Sequence, residues 1–600
     1  MRYATFRLVG VNCVLVLAVQ LAGCGSGNTA AQKPVQWPIA KQVPTTAQQQ
    51  VLPVALAADA PKINPADVTL YEKCGYSVWQ AGAGTNYSQY PAHPQHHQKR
   101  AELAPLYKGA PNAAQLLAFF AISDIHITDK ESPAQVIYPG WSALFGPSSA
   151  GLMQQAYSPV ILSTTHVLDA AIQTVNALHK QTPFGFGISL GDDVNNTQYN
   201  ELRWFIDVLD GKVITPSSGA HVGADAIDYQ KPFKAAGLDK TIPWYQVVGN
   251  HDQFWSGVLY ENAKTQQAHV GAAVINLKVD LSNPNAINTT GDYMGVIDGT
   301  TPYGNVIDAG PEKNFPAPPT VVADANRRSL STNESSTRNW MREFFTTAST
   351  PVGHGFTQAN VDEDFACYSF EPKSDLPLKV IVLDDTNKKN DKLGCPMFYG
   401  TGHLDPTRLE WLKRELQKGQ DEGKLMIIAA HIPIKPQVSI TDPRPMSTFY
   451  DKSEEDALLA TLHSYPNLIL WIAGHRHLNT ITPQPNNAAD LNDHPEQSFW
   501  EVETSSLRDF PQQFRTFEIR RNGDNTISII TTDVDPAVAA GSPAAKSRGY
   551  AIGAARLFGA TPAILGDATS HAYNAELVKQ LSPQMQAKIA KCGSPIKERE

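Results

Sequence analysis

Leu117-Ala118-Phe119-Phe120-Ala121-Ile122-Ser123-Asp124-Ile125-His126 is the stretch from which the rest of the chain can be read. Six apolar residues in a row leave no face for water, so the run predicts a strand buried on both faces. It ends in Asp124 and His126, two side chains of metal-binding type. A single Asp-x-His carries little weight in a long chain. Four further runs of the same build follow it: Phe184–Leu190 before Gly191-Asp192-Asp193, Trp244–Val248 before Gly249-Asn250-His251-Asp252, Leu425–Ala430 before His431, and Leu468–Ala473 before Gly474-His475-Arg476-His477. Five buried strands with oxygen or imidazole donors at their carboxyl ends put those donors on one rim of a sheet, where proteins of this class place their sites.

Between the runs the pattern turns helical. Val167, Leu168, Ala171, Ile172, Val175 and Leu178 predict an amphipathic helix over 165–180. Asp405-Pro406 offers an N-cap followed by proline at the first helical position, with Leu409, Leu412 and Leu416 as the buried stripe. Leu378–Leu383 reads as another buried strand, and Phe499 to about Val534 as closing strands with a hairpin turn at Arg521-Asn522-Gly523-Asp524. Strand, helix, strand is the order of an α/β sheet.

The five blocks, in this order, resemble the signature of the calcineurin-like metallophosphoesterases, over about residues 117–535. Gln198-Tyr199-Asn200-Glu201-Leu202-Arg203-Trp204 further resembles a bacterial branch with long insertions. The resemblance implies an α/β (α+β) fold: a four-layer αββα sandwich of two packed mixed sheets flanked by helices. It implies two metal ions, with Asp124, His126 and His477 on one, Asp192 bridging, and Asn250, His431 and His475 on the other. His251 then resembles the family's general acid, and Asp252 beside it is expected to orient the ring. With no Cys among the donors, divalent or trivalent Mn, Fe, Zn or Co would fit.

Two departures from the family narrow the reading. Where protein-phosphatase relatives carry Asp-Arg after the bridging Asp, this chain has Asn195 and Asn196, so the phosphate-gripping Arg is missing there. Purple acid phosphatase relatives place a metal-binding Tyr where Asn195 stands. Asn196 remains a candidate hydrogen-bond donor to phosphate, and Asp193, Arg476 and His403 are expected to be structural.

The implied activity is metal-dependent hydrolysis of a small phosphorylated substrate, a phosphomonoester or phosphodiester. The alternatives are a nucleotidase or nucleotide pyrophosphatase, and a catalytically inactive surface-binding protein on the same fold. Nucleotidase relatives commonly add a C-terminal domain, for which only about 65 residues remain after the last expected strand. A formal net charge of −9 gives no basic footprint for nucleic acid.

At the other end, Arg2 and Arg7 precede the apolar stretch Leu8–Leu21, which closes in Leu21-Ala22-Gly23-Cys24. This reads as an export signal over 1–23 whose ending resembles a bacterial lipoprotein box, with Cys24 as the lipidated residue. The domain would then sit on the periplasmic or cell-surface side, held to the membrane by lipid alone. Residues 24–60 are expected to be a flexible tether, 61–116 an N-terminal extension, about 253–377 a cap over the metal centre, and 536–600 a C-terminal extension with a short helix near its end. His93, His96 and His97 are expected in a solvated loop. Export makes disulfides possible, and of three connectivities the preferred one joins Cys367 to Cys395 and Cys74 to Cys592.

Overall fold

The computed structural model describes residues 34–85, 96–138, 158–279, 287–332, 334–388, 399–439, 442–558 and 573–596. Cys24, His93 and Cys395 lie outside the described residues. The first of two mixed sheets has eight strands. In chain order these are β1 (Gln98–Arg100), β2 (Asn112–Ile122), β3 (Phe186–Ser189), β4 (Trp244–Gln246), β11 (Phe514–Asn522), β12 (Ile527–Val534), β13 (Ala575–Lys579) and the short β14 (Ser594–Pro595). Their spatial order is β1-β13-β12-β11-β2-β3-β4, with β14 paired to β2. The second sheet holds β5 (Tyr368–Phe370), β6 (Leu378–Val382), β7 (Leu425–Ala429), β8 (Leu468–Ala473), β9 (Thr480–Gln484) and β10 (Phe499–Glu503), in the order β5-β6-β7-β8-β10-β9.

The expected sandwich follows from side-chain alternation. In β6 and β7, Val380, Val382, Ile427 and Ala429 join Leu117, Phe119 and Phe517 of the first sheet in one core. Their neighbours Ile381, Met426 and Ile428 face the other way, onto Leu412 and Leu416 of α3 (Pro406–Asp421) and Leu458 and Leu462 of α4 (Lys452–His463). Phe119 stacks between Phe186 and Phe517 at centroid distances of 4.6 and 4.8 Å. Phe370 of the second sheet meets Phe186 edge-on at 5.3 Å, and Trp500 Nε1 donates across the sheets to the Val578 carbonyl at 3.0 Å. On the other side, α1 (Thr164–His179) and α2 (Tyr199–Leu209) bury Leu168, Ile172, Val175, Phe205 and Ile206. Helix, sheet, sheet, helix is the result. Among the described residues no helix is long and apolar enough to cross a membrane.

Several expected boundaries move. From residue 34 the N-terminal part is bound to the domain: Val35 bridges to Phe233, Thr46 Oγ1 donates to the Asp533 carbonyl, and Gln49–Pro53 pairs antiparallel with Trp79–Ala83. The described part of the tether is therefore not free chain. The C-terminal extension is also part of the domain, because β13 is buried throughout and pairs with β12 and β1. Its polar residues hide it from hydropathy, yet buried Glu576 pairs with Lys99 at 2.8 Å. Helix α5 (Pro543–Phe558) packs near Val160 and Phe510 through Ala551, Ile552 and Ala555.

The expected cap divides in two. Strands Asn276–Val279, Ile287–Ile297 and Val306–Pro311 form a separate three-stranded sheet, which packs through Leu277 and Met294 on Trp255 and Val136. The later half is core instead: Trp340, Met341, Phe344 and Phe356 pack with Trp244, and β5 joins the second sheet. Cys74 and Cys592 are both free thiols, so they do not join the chain ends, and Cys367 is a buried free thiol. His97 is not solvated. Its Nε2 meets Thr532 Oγ1 at 2.7 Å, and burial first, then Arg520, pull its pKa down to about 4.

Candidate metal centre

The strand ends meet in tight turns. Asp124, His126, Asp192, His475 and His477 all have positive φ (52°, 48°, 54°, 77° and 61°), a conformation that non-glycine residues rarely adopt. Each costs on the order of 1 kcal/mol or more and persists only where neighbours over-determine it. Here Asp124 N donates to the Gly191 carbonyl at 3.1 Å and His126 N to the Asp192 carbonyl at 2.9 Å, while His475 N donates to Asp124 Oδ2 at 2.9 Å. The turns approach so closely that a Cβ at Gly474 would overlap the Asp124 carboxylate, and one at Gly249 the Asp192 carboxylate. Two of the motif glycines are thus steric requirements.

All seven expected ligands come together. Asp124, His126 and His477 each offer one donor atom within 4.8 Å of the others, as do Asp192, His431 and His475. His126 Nε2 and His431 Nε2 lie 3.7 and 3.3 Å from the same oxygen, Asp192 Oδ2. Asn250 donates through Nδ2 to the Gly257 carbonyl, which turns its Oδ1 toward His431 Nε2 at 2.9 Å and His475 Nδ1 at 3.1 Å.

The donor set fits two metal ions bridged by Asp192. His126 Nε2 and His477 Nε2 stand 3.2 Å apart, and Asp124 Oδ1 is buried without a hydrogen-bond partner. Such atoms need a proton or a cation between them. The outer nitrogens are already assigned: His431 Nδ1 donates to the Leu190 carbonyl at 2.8 Å, and His477 Nδ1 meets Asp509 Oδ2 at 2.7 Å. Both contacts leave Nε2 facing inward, as in metal sites.

The electrostatics agree. Burial works against the charge on Asp192, but the imidazoles of His431, His251 and His126 overcome it and hold the carboxyl well below its usual range. Burial likewise opposes the charge on His431, yet Asp192 and Asp124 raise it to about 10; Asp124 and Asp509 do the same for His477, also to about 10. His475 falls to about 3 through burial and the charge of His431. The carboxylates demand positive charge at two places. Protons on His431 and His477 supply it, and a metal ion in each donor set would displace them.

His251 is buried beside these sets, its ring edge-on to His126 at 4.4 Å. Its Nδ1 is 2.8 Å from the Asn195 carbonyl, so that contact, and not Asp252, orients the ring. The expected catalytic role of Asp252 is corrected accordingly. Its carboxylate accepts backbone N–H groups from Gly249, Asp192, Asp193 and Val194 at 2.8–3.3 Å, clamping two ligand-bearing turns together.

Asn196 is also corrected as a substrate contact. It is fully buried, its Nδ2 donates to Gln135 Oε1 and its Oδ1 accepts from Ser256 N, so both ends of the amide are engaged in holding loops. Asp193 accepts from Ser189 Oγ at 2.5 Å, Arg476 pairs with Glu503 at 2.5 Å and His403 with Glu454 at 3.0 Å, as structural residues do.

Sequence reasoning missed the segment Thr504–Gln513. Ser506 Oγ donates to the Asp124 carbonyl at 2.6 Å, Arg508 N reaches the same carbonyl at 3.3 Å, and Asp509 holds His477. The signal was present: the stretch Phe499–Val502, broken only by Glu501, also ends in polar residues, but without the histidine that follows four of the other five runs.

No family model matches the chain. A stretch of 110 residues, 18% of the chain, is 24% identical to a manganese-dependent ADP-ribose/CDP-alcohol diphosphatase of Xenopus tropicalis; the similarity spans 30% of that relative's length. A dimetal phosphatase from Danio rerio of known structure is 12% identical, with 70% of this chain and 96% of that one covered and a TM-score of 0.32.

Proposed function

We propose that the protein hydrolyses phosphate esters at a dinuclear metal centre held by Asp124, His126, Asp192, Asn250, His431, His475 and His477. The observation that supports this reading is the single oxygen Asp192 Oδ2, which lies near both His126 Nε2 of one donor set and His431 Nε2 of the other. Two adjacent ions, when bound, lower the pKa of a bound water and neutralise charge on the phosphoryl oxygens.

The chain's own residues supply the rest. With Nδ1 on the Asn195 carbonyl, His251 has its Nε2 left for substrate, where a protonated ring can donate to the departing alkoxide. Burial lowers the pKa of this ring, and the neighbouring Asp192 carboxylate and the Asn195 carbonyl only partly oppose that fall. Asp252 and the Ser506 hydroxyl keep the turns in register.

The substrate is read as a small phosphorylated compound outside the cytoplasm. The charged start, apolar run and Cys24 box support export and a lipid anchor. A second reading, hydrolysis of a phosphoanhydride within a nucleotide conjugate, draws support from the partial similarity to the diphosphatase.

The test is a comparison of initial rates on a chromogenic phosphomonoester, its matching diester and ADP-ribose, using residues 25–600 loaded with Mn. Turnover of at least one, abolished in Asp192→Ala, is expected. A fully metal-loaded protein inert toward all three contradicts the reading and favours a binding role for the fold.

A further inference from the structure

We propose that Glu201 is the positioning residue of the general acid: through the peptide group that joins Asn195 to Asn196, its carboxyl holds the His251 ring in the orientation that turns Nε2 to the leaving group. The inference rests on the phosphoester reading above and adds a residue to the acid side of that site.

Glu201 lies in the first turn of α2, inside the stretch Gln198–Trp204, which supplies none of the seven metal ligands. A Glu at this third helical position ordinarily reaches back to the backbone of its own N-cap. Here the two oxygens serve other turns: Oε1 accepts from Asp129 N at 2.8 Å and Oε2 from Asn196 N at 2.9 Å, and the residue is wholly buried. Asp129 follows the ligand His126 by three residues, and Asn196 follows the ligand Asp192 by four. Two N–H groups need two acceptor oxygens, which a carboxyl supplies and a side-chain amide does not.

The second of these bonds reaches His251. Asn196 N–H and the Asn195 carbonyl are the two ends of one planar peptide group, and that carbonyl stands 2.8 Å from His251 Nδ1. Carboxyl, peptide and imidazole thus form one chain of hydrogen bonds, in which each bond polarises the next. The acceptor on Nδ1 decides which ring nitrogen carries the proton there and which faces the reaction. Because the peptide is rigid, turning its N–H to another acceptor carries the carbonyl away from the ring.

The far end of the chain is anchored. The Asp129 carboxylate accepts from Asn200 Nδ2 at 2.6 Å, Ser218 Oγ at 2.7 Å and Arg327 Nε at 3.2 Å. Asn195 N donates to the Ile127 carbonyl at 3.1 Å, which fixes the strand end from which the peptide leaves. Glu201 therefore holds the peptide from a fixed point, and a misplacement of the acid by about 1 Å is enough to cost on the order of a hundredfold in rate.

Turnover of the alkyl and nitrophenyl esters of the class that the Mn-loaded wild type accepts, with metal content and circular dichroism measured in parallel, tests this. Glu201→Ala is expected to keep both metals and to lose at least about tenfold in kcat on the alkyl ester, but less than about threefold on the nitrophenyl ester, whose leaving group needs no proton. Added to His251→Ala, it should change the alkyl rate by less than about twofold, because the two residues act as one unit. Glu201→Gln, which keeps the volume and one acceptor oxygen, should fall between wild type and Glu201→Ala, and it carries the test should Glu201→Ala misfold. A crystal structure of the variant reads the link without turnover: His251 Nδ1 should have left the Asn195 carbonyl. Equal losses on the two esters, the same loss with and without His251, loss of metal, or an unmoved ring overturns the assignment of Glu201 alone. A metal-loaded wild type inert toward every ester overturns it together with the phosphoester reading.

Discussion

His477 is held from both sides: its Nδ1 lies 2.7 Å from Asp509 Oδ2 and its Nε2 3.4 Å from Asp124 Oδ1. A carboxylate behind an imidazole fixes the tautomer and raises the basicity of the inward nitrogen. Asp509→Asn should therefore weaken metal retention at the Asp124–His126–His477 set by about 10- to 100-fold while leaving the other set filled. Metal content after graded chelation reads this directly. Equal loss from both sets, or from neither, would refute the link between Asp509 and one ion.

His251 and Asp252 are adjacent in sequence and separate in function. His251→Ala should keep both metals, lower turnover by roughly 10²–10⁴-fold on an alkyl phosphate, and cost much less on a nitrophenyl ester, whose leaving group needs no proton. Asp252→Ala removes the acceptor of four backbone N–H groups. It should lower the denaturation midpoint and metal retention together, without that dependence on leaving group. Matching leaving-group profiles for the two variants would show that the separation of roles is mistaken.

Lys579, at the end of β13, gives a pH prediction outside the metal centre. Burial lowers its pKa from 10.5 to about 7, against the weaker opposing pull of Glu496. Between those values the unfolded chain binds a proton that the folded chain does not, so this residue makes stability rise with pH from about 7 to 10.5. Below about 7 both states are protonated and the full cost of the buried charge remains. Lys579→Met should thus stabilise the protein by roughly 4 kcal/mol more at pH 6 than at pH 10. Denaturant midpoints of the two proteins at both pH values check it, and a stability difference independent of pH would contradict it.

Much of the site was legible because buried parallel strands are written as unbroken apolar runs, and the polar residues that end such runs fall on one rim. Asp124, Asp192, His431 and His475 could be grouped on that ground although more than 300 residues separate the first from the last two. What adjacency in sequence does not tell is where a side chain points. Asp252 was expected on the His251 ring and turns instead to backbone amides; Asn196 was expected to face substrate and turns to Gln135.

Strand β13 escaped for a different reason. Ala575-Glu576-Leu577-Val578-Lys579 carries two charged residues in five, and contacts such as those of Glu576 with Lys99 and Ser528 and of Lys579 with the Glu496 carbonyl make its burial tolerable. Those partners are far away in the chain. The same distance defeated the Cys74–Cys592 pairing, where joining the ends seemed reason enough and geometry supplies no bond.

The central claim is that Asp192 bridges two metal ions, and metal stoichiometry tests it most directly. Elemental analysis of protein reloaded with Mn should give about two ions per chain, falling to one or fewer in Asp192→Ala, whose circular dichroism should match wild type. A folded wild-type protein that takes up no metal, or an Asp192→Ala variant that keeps both ions, would contradict the account.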